Sequence, residues 1–141
     1  MNDKLKIRPY KITDYEQVKI IFEESDSFDP LMDTSERLEN KIKKDPKSIL
    51  VAEINDQVIG NVYIINDEWF AGIFRLGVRK KYRGNDIGFA LLQKAESYLK
   101  NQGHSQVMIF VNNKYDRLIN WYKNHGYEHT DNNFKALWKE L

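Results

Sequence analysis

The segment between residues 79 and 88 contains residue types that could bind a phosphorylated ligand. Gly84 and Gly88 lie directly before an amphipathic stretch. The first turn of a helix leaves about four backbone N–H groups without partners and carries about half a positive charge, and glycines let a pyrophosphate approach the backbone closely. The pattern predicts a phosphate site, although a run of charge is more often a solvated loop. Four cations fall within five residues just before the glycines: Arg79, Lys80, Lys81 and Arg83.

The same segment lacks two common nucleotide-binding signatures. It contains neither G-x-G-x-x-G nor G-x-x-x-x-G-K-[ST], which counts against a dinucleotide-binding fold and a P-loop NTPase. Asp86 places a carboxylate between the two glycines, where phosphate oxygens would lie. We predict that this carboxylate turns away from the phosphates and either caps the helix or pairs with a nearby cation. The alternative, in which Asp86 only caps a helix after a loop that binds nothing, stays open.

Hydrophobic periodicity predicts two helices in the first third of the chain. A strand over residues 4–10 is followed by a helix from Thr13, because the spacing of Thr13 and Glu16 fits a capping box. Asp33 begins a second, more polar helix, which ends before Pro46.

The middle of the chain predicts a sheet that leads into the glycine-containing loop. Three β-rich segments form an antiparallel meander, with a tight turn at Asn55-Asp56 because both residues tolerate positive φ. From Asp86 the period becomes helical, and Gly103 stands where a helix C-cap is expected. The three strands of the meander cover residues 48–54, 57–65 and 69–78.

The last third of the chain predicts a strand, a helix and a closing hairpin of two further strands. The continuous apolar run over residues 107–111 is typical of a strand buried on both faces. A helix from Tyr115 ends at Gly126, and a closing hairpin follows over residues 127–130 and 134–138, around Asp131-Asn132-Asn133. The element order β α α β β β α β α β β predicts an α/β domain of the α+β type with a mixed sheet.

Length and composition restrict the class of protein. The chain has 141 residues, of which 41% are hydrophobic and 30% charged, with a formal net charge of +1. This balance is typical of a soluble globular protein, and we expect a single domain over residues 1–141. Cysteine is absent, which excludes disulfides, thiolate metal ligands and a cysteine nucleophile.

Neither a membrane, a nucleic acid nor a metal is an expected partner. No apolar run approaches the ~20 residues of a membrane span, and the first residues lack the apolar region of a secretory signal, so a cytoplasmic location is expected. The nearly neutral charge gives no sign of nucleic acid. His125 and His129 have metal-ligand spacing, but Gly126 lies between them at a helix end and no third ligand is evident.

Two segments resemble motifs of the GNAT superfamily of N-acetyltransferases. The first is similar to motif A, whose core is Q/R-x-x-G-x-G/A, and here Asp86 replaces the middle glycine. The second is similar to motif B, N-x-x-A-x-x-x-Y-x-x-x-G-F, where Tyr115 stands in place of the usual Asn and Leu118 in place of Ala. The element order is also similar, so the resemblance covers nearly the whole chain and implies a GNAT-like domain with a central, mostly antiparallel sheet flanked by helices. Motif A corresponds to Leu76-x-Val78 and Tyr82-Arg83-Gly84-x-x-Ile87-Gly88, and motif B to Val111, Tyr115, Leu118, Tyr122, Gly126 and Tyr127.

The resemblance implies an acetyl-coenzyme A (acetyl-CoA)-dependent N-acetyltransferase in which a deprotonated amine attacks the thioester directly within a ternary complex. Tyr122 matches the family tyrosine that can protonate the departing thiolate, although its helical period alone favours simple packing. No metal is implied. The residues that the resemblance places against acetyl-CoA are Leu76, Gly77, Val78, Arg83, Gly84, Asn85, Asp86, Ile87, Gly88 and Tyr115.

The general base and the acceptor stay open. Some relatives carry a glutamate at positions that match Gly72 or Phe110, neither of which is a carboxylate; Glu53, Glu68 or a water chain could substitute. Acidic residues within positions 23–29 favour a cationic amine, although a solvated loop explains them equally well. The expected acceptor is the primary amine of a small molecule, and the protein is expected to be a monomer or homodimer. A protein lysine or N-terminal acetyltransferase and a non-catalytic CoA-binding regulatory module are the alternatives.

Overall fold

The computed structural model describes residues 4–130 and 135–141. Within these residues it contains one four-stranded sheet in the order β1-β2-β3-β4 and four α-helices. The strands are β1 (Lys6–Pro9), β2 (Ile49–Ile54), β3 (Gln57–Asn66) and β4 (Ala71–Val78). The helices are α1 (Tyr15–Glu24), α2 (Ser35–Lys44), α3 (Ile87–Asn101) and α4 (Asp116–Asn124).

The chain forms two compact units. The first spans Met1–Ile109 and includes the sheet with α1, α2 and α3, and the second spans Phe110–Leu141 and includes α4. The expectation of one domain over residues 1–141 stays a prediction. None of the helices in the described ranges has the length and apolar character that crossing a membrane requires.

The predicted antiparallel meander is confirmed. All three strand pairs are antiparallel, and the turn between β2 and β3 places Asn55 at a φ of 51° and Asp56 at 62°. Two successive residues at positive φ match the right-handed twist of the flanking strands. Their content of β-branched and other apolar residues predicted these strands, and β2 and β3 are buried along most of their length.

Helices cover both faces of the sheet. A Cβ atom on Gly77 would lie 2.8 Å from Ile21 of α1, whereas one on Gly60 would lie 3.0 Å from Leu91 of α3. Gly77 is paired with Asn61, the residue next to Gly60, and neighbouring strand residues face opposite sides. The helix α3 buries one apolar stripe, whose members are each at most 2% exposed: Leu91, Leu92, Ala95 and Leu99.

Both predicted helix starts are wrong in detail. A 3-10 turn at Ile12–Asp14 precedes α1, and the cap position of α1 is Asp14 rather than Thr13. The Asp14 carboxylate accepts the Lys11 amide at 2.8 Å. The cap of α2 is Thr34, whose hydroxyl oxygen accepts from the third helical amide at 3.2 Å. Asp33 is not the cap because its carboxylate is engaged by tertiary partners described below.

The predicted strand over residues 107–111 is reduced to one parallel bridge between Gly72 and Met108. Ile73 N donates to Met108 O at 3.1 Å and Met108 N donates to Ala71 O at 2.9 Å. The expected burial on both faces is also wrong, since Phe110 is 69% exposed. The ladder does not extend because β4 bends at a bulge a few residues further on.

The closing hairpin is not observed where the structure can test it. Residues 127–130 and 135–141 contain no strand, and Trp138 is 84% exposed. The predicted turn at Asp131-Asn132-Asn133, with Phe134, lies outside the described residues. The aromatic residues of this segment predicted strands, but a strand needs a paired neighbour. Residues 107–111, which were expected to form a neighbouring strand, make only the single bridge.

Candidate active site

A β-bulge interrupts β4 just before the residues predicted to contact acetyl-CoA. The register between β3 and β4 shifts between Asn61 and Tyr63, where Arg75 and Leu76 lie opposite a single residue of β3. Arg75 has a φ of 54°, which is rare for a residue with a side chain. A bulge bends the strand and leaves backbone groups unpaired. Since β4 is the sheet edge, no strand within the described part of the chain pairs with its outer side over residues 74–78.

Asn61 holds the bulge from inside the sheet. Its side chain is fully buried, and Nδ2 donates to the Arg75 carbonyl at 2.8 Å. Its Oδ1 has no partner among the described residues. This hydrogen bond gives the Arg75 carbonyl a partner where the bulge interrupts its pairing with the β3 backbone. A glycine is needed at position 77 for a separate structural reason, because the approach of Ile21 leaves no room for a side chain.

The loop after β4 presents backbone amides at the start of α3. A 3-10 turn at Lys80–Tyr82 leads to Gly84, whose φ of 81° lies in the left-handed region, with open space where a Cβ would be. The Ala90 amide donates to Asp86 O at 3.0 Å. The amides of Ile87 and Gly88 precede that bond, so they have no acceptor within the helix. This terminus favours an anion through its free N–H groups and its dipole.

Only part of the cationic cluster is available for a ligand. Arg79 Nε forms an ion pair with Glu24, and the other Glu24 oxygen accepts the Lys80 amide at 2.7 Å. The Lys80 amide and the Arg79 guanidinium together lower the pKa of Glu24. Arg83 Nε donates to a β4 carbonyl at 3.0 Å. The side chains of Lys80 and Lys81 are exposed, and neither forms an ion pair with the residues that the structure describes.

The prediction that the Asp86 carboxylate caps the helix or pairs with a cation is wrong. Asp86 occupies the cap position, but its carboxylate makes no capping hydrogen bond and no ion pair within residues 4–130 and 135–141. Its backbone has a φ of 60° and a ψ of 17°, whereas capping side chains project from an extended backbone. The left-handed conformation therefore leaves the Asp86 carboxylate exposed to solvent.

The candidate acid lies in the second unit. Tyr122 of α4 is 7% exposed, and the rings of Trp121 and Tyr127 meet its ring edge-on at centroid distances of 5.1 and 5.5 Å. Burial raises the pKa of Tyr122 to about 12, so the phenol is protonated at neutral pH. Packing of the ring is confirmed, and the catalytic role stays a prediction.

Tyr115 immediately precedes α4. It occupies the cap position and is 51% exposed, and Leu118 of the predicted apolar face is 41% exposed. Lys114 Nζ lies 5.1 Å from the centre of the Tyr115 ring. The predicted contact of Tyr115 with acetyl-CoA stays a prediction.

The carboxylates suggested as bases are engaged elsewhere or exposed. Arg8 donates to Glu53 at 3.2 Å, and Glu53 lies on β2, which is separated from β4 by β3. Glu68 is exposed in the turn between β3 and β4, at the opposite end of β4 from the bulge. Asn61 and Arg75 were not predicted from the sequence as residues of the site. Both are polar residues within apolar strand segments, which is the signal that could have identified them.

A separate cavity of about 910 Å³ opens between α2 and the end of β3. Lys41 contributes to its wall, with Nζ donating to Ile64 O at 2.7 Å and lying 5.2 Å from the centre of the Phe74 ring. Burial lowers the pKa of Lys41. The walls mix acidic, basic and apolar side chains, and none belongs to residues 79–88.

A bulged edge strand leads through a glycine-containing loop to a helix N-terminus, which is the arrangement that the resemblance to N-acetyltransferases predicts. Residues 15–127 match the model of the acetyltransferase (GNAT) family. The chain therefore belongs to the GNAT family of N-acetyltransferases, which are acyltransferases. The predicted fold class is confirmed, with a mostly antiparallel sheet flanked by helices.

Solved structures with low sequence identity share this fold. Ard1 from Thermoplasma volcanium has a TM-score of 0.79 at 24% identity, over 89% of this chain and 84% of the other. The PaiA N-acetyltransferase from Thermoplasma acidophilum, in complex with coenzyme A, has a TM-score of 0.78 at 20% identity, over 92% and 93% of the two chains. An aminoglycoside acetyltransferase from an uncultured soil metagenomic sample, in complex with sisomicin, has a TM-score of 0.70 at 18% identity, over 96% and 97%.

Proposed function

We propose that this protein transfers the acetyl group of acetyl-CoA to a primary amine of a small molecule. The observation that carries the proposal is the continuity of three features: the open outer side of β4, the left-handed Gly84, and the start of α3. An extended thioester arm fits along an unpaired strand edge, and a pyrophosphate fits against free amides at a helix start. The coenzyme A complex of a relative with the same fold supports this ligand.

The two ends of the cofactor are assigned to different parts of the site. Backbone groups of Leu76, Gly77 and Val78 bind the pantetheine arm, and one amide there polarises the thioester carbonyl, which typically lowers a barrier by ~3 kcal/mol. The exposed Lys80 and Lys81 supply counter-charge for the phosphates. The loop residues proposed to bind the phosphates are Arg83, Gly84, Asn85, Asp86, Ile87 and Gly88, with Asp86 contributing its backbone only.

Direct attack of the amine needs no covalent enzyme intermediate. The neutral amine nitrogen bonds to the acetyl carbon and releases one proton to water, the carbon–sulfur bond breaks, and the sulfur takes a proton as coenzyme A leaves. Tyr122 is proposed as the donor of that proton, and it regains a proton from water. No carboxylate of the described residues is assigned as a base, so the amine enters already neutral or loses its proton to water.

We propose the cavity beside α2 as the acceptor site, and its size favours a small acceptor. Its volume of about 910 Å³ lies in the range of ligand pockets, and Lys41 on its wall lies against Phe74, the residue before the bulge. The acetyltransferase bound to sisomicin shares the fold, which supports testing an aminoglycoside. We further propose a cytoplasmic protein, monomeric or homodimeric, without a nucleic acid or membrane partner.

The proposal predicts acetyl-CoA binding and amine-dependent release of coenzyme A. Calorimetry near neutral pH and low salt should show saturable binding of acetyl-CoA. A thiol-release assay should then be run with spermidine, an aminoglycoside, a lysine peptide and a peptide with a free amino terminus. Turnover with spermidine or the aminoglycoside alone supports a small-molecule acceptor, whereas turnover with a peptide alone supports a protein substrate.

A non-catalytic CoA-binding module is the second candidate function. The observations that favour it are the exposed Asp86 carboxylate beside the proposed phosphate site and the absence of an assigned base among the described residues. Binding without thiol release for any amine of the panel is the result expected of such a module. Absence of binding would contradict both functions.

Replacing Asp86 by glycine should leave the affinity for acetyl-CoA within a few fold of wild type, or tighten it. Glycine adopts the observed left-handed backbone without the ~1 kcal/mol cost of a side chain, no cap is lost, and a negative charge leaves the phosphate site. The control is Asp56→Gly, which changes the same residue type at a φ of 62° in a distant turn. A much weaker affinity in Asp86→Gly but not in Asp56→Gly, measured by calorimetry, would show that the carboxylate itself contributes to binding.

A further inference from the structure

Arg75 combines a strained backbone with a long-range side-chain contact. It is the left-handed residue of the bulge, with a φ of 54°, and its guanidinium lies 4.0 Å from the centre of the Phe22 ring. Nη1 donates to the Ser27 carbonyl at 3.0 Å, and Nη2 forms an ion pair with Asp33. One side chain thus joins the bulge to both ends of the segment that connects α1 to α2, residues 25–34, called here the connecting segment.

The other contacts of Asp33 hold its carboxylate in a fixed position opposite Arg75. Asp33 is 5% exposed although it is charged, and its carboxylate also accepts the Asp29 amide at 2.8 Å. The Tyr15 hydroxyl donates to its carbonyl at 2.6 Å. A buried carboxylate needs such partners, so Arg75 is the counter-ion that the Asp33 carboxylate requires. The planar guanidinium is suited to the task because it reaches two acceptors at once.

We propose that Arg75 is a positioning residue that couples the connecting segment to the thioester-binding edge of β4. The proposal rests on the proposed function, in which the bulge places an amide against the thioester carbonyl. Arg75 contributes its backbone to the bulge and its side chain to the connecting segment, so ordering of one restricts the other. Ligands that order the two sides then favour each other's binding, since such coupling is reciprocal.

Amide hydrogen exchange with and without acetyl-CoA tests the coupling without knowledge of the acceptor. The variant is Arg75→Gln. Glutamine and arginine tolerate the left-handed backbone about equally, so the substitution removes the guanidinium without changing the backbone preference. The matched control is Arg8→Gln, since Arg8 forms a comparable half-buried ion pair with Asp14 at 2.8 Å in the same unit. Both variants should lose a similar amount of stability, which thermal unfolding measures.

Acetyl-CoA should slow exchange in peptides covering residues 76–88 in all three proteins. It should also slow exchange in the connecting segment of wild type and Arg8→Gln, by at least about fivefold, and not in Arg75→Gln. In the thiol-release assay, the KM of the best amine of the panel should rise by at least about fivefold in Arg75→Gln alone. If Arg75→Gln does not fold, Arg75→Lys replaces it, since an ammonium keeps the charge but not the paired contact.

Two results would overturn the coupling while leaving the proposed function intact. One is protection of residues 76–88 with no effect of acetyl-CoA on the connecting segment of wild type. The other is that acetyl-CoA slows exchange in the connecting segment equally in wild type and in the folded Arg75 variant. Absence of protection at residues 76–88 in wild type would instead contradict acetyl-CoA binding, and the coupling with it.

Discussion

Replacing Gly88 by glutamate is expected to abolish acetyl-CoA binding. Gly88 is the second residue of α3, and its amide has no acceptor within the helix. A carboxylate at this position would lie beside the proposed pyrophosphate site, where two like charges about 4 Å apart repel by ~4 kcal/mol near a protein surface. The dissociation constant should therefore rise by at least about 100-fold in calorimetry.

Two companion variants separate this charge effect from damage to the helix. A glutamate in the first turn stabilises a helix by ~0.3–1 kcal/mol, so Gly88→Glu should keep the melting temperature of wild type. Gly88→Ala adds a small side chain without charge and should bind far better than the glutamate variant. Gln93→Glu adds the same charge at an exposed position of α3 and should bind like wild type. Wild-type affinity in a folded Gly88→Glu protein would exclude the start of α3 as the phosphate site.

The loop was predictable because its signal is local. Gly84 and Gly88, spaced before an apolar helical pattern, identify a helix start that can accept an anion whatever surrounds it. The charge at the loop was not predictable to the same extent. Arg79 is neutralised by Glu24 at the end of α1, and a sequence pattern does not show which distant helix end approaches the loop.

The difference between local signals and tertiary contacts also explains which strands could be predicted. The β-rich runs of β2 and β3 and the turn residues between them are local signals, so the meander followed from sequence. The apolar run over residues 107–111 predicted burial as well, but pairing depends on the shape of its neighbour. That neighbour bends at Arg75, whose left-handed backbone is stabilised by contacts with Asn61 and Asp33. Strand pairing is decided by such tertiary contacts, which local propensity does not contain.

Replacing Tyr122 by phenylalanine is expected to reduce turnover by ~100-fold or more, which is about 2.7 kcal/mol in the barrier. The variant keeps the ring that packs against Trp121 and Tyr127 and removes the one group that can donate a proton. Acetyl-CoA affinity and melting temperature should change little, because neither depends on a proton transferred to sulfur. The measurement is kcat under conditions where chemistry limits the rate.

The pH dependence and a second tyrosine make this test specific. Burial raises the pKa of Tyr122 from 10.0 to about 12, so the donor form persists through pH 10 and wild-type kcat should not fall between pH 8 and 10 through loss of this proton. Tyr98→Phe is the control, because the Tyr98 hydroxyl donates to Asp45 at 3.0 Å; it should lose about 1 kcal/mol of stability or less without loss of rate. Unchanged kcat in Tyr122→Phe would end the assignment of the acid. A fall in melting temperature like that of Tyr98→Phe, with kcat retained, would show that the Tyr122 hydroxyl has a structural role alone.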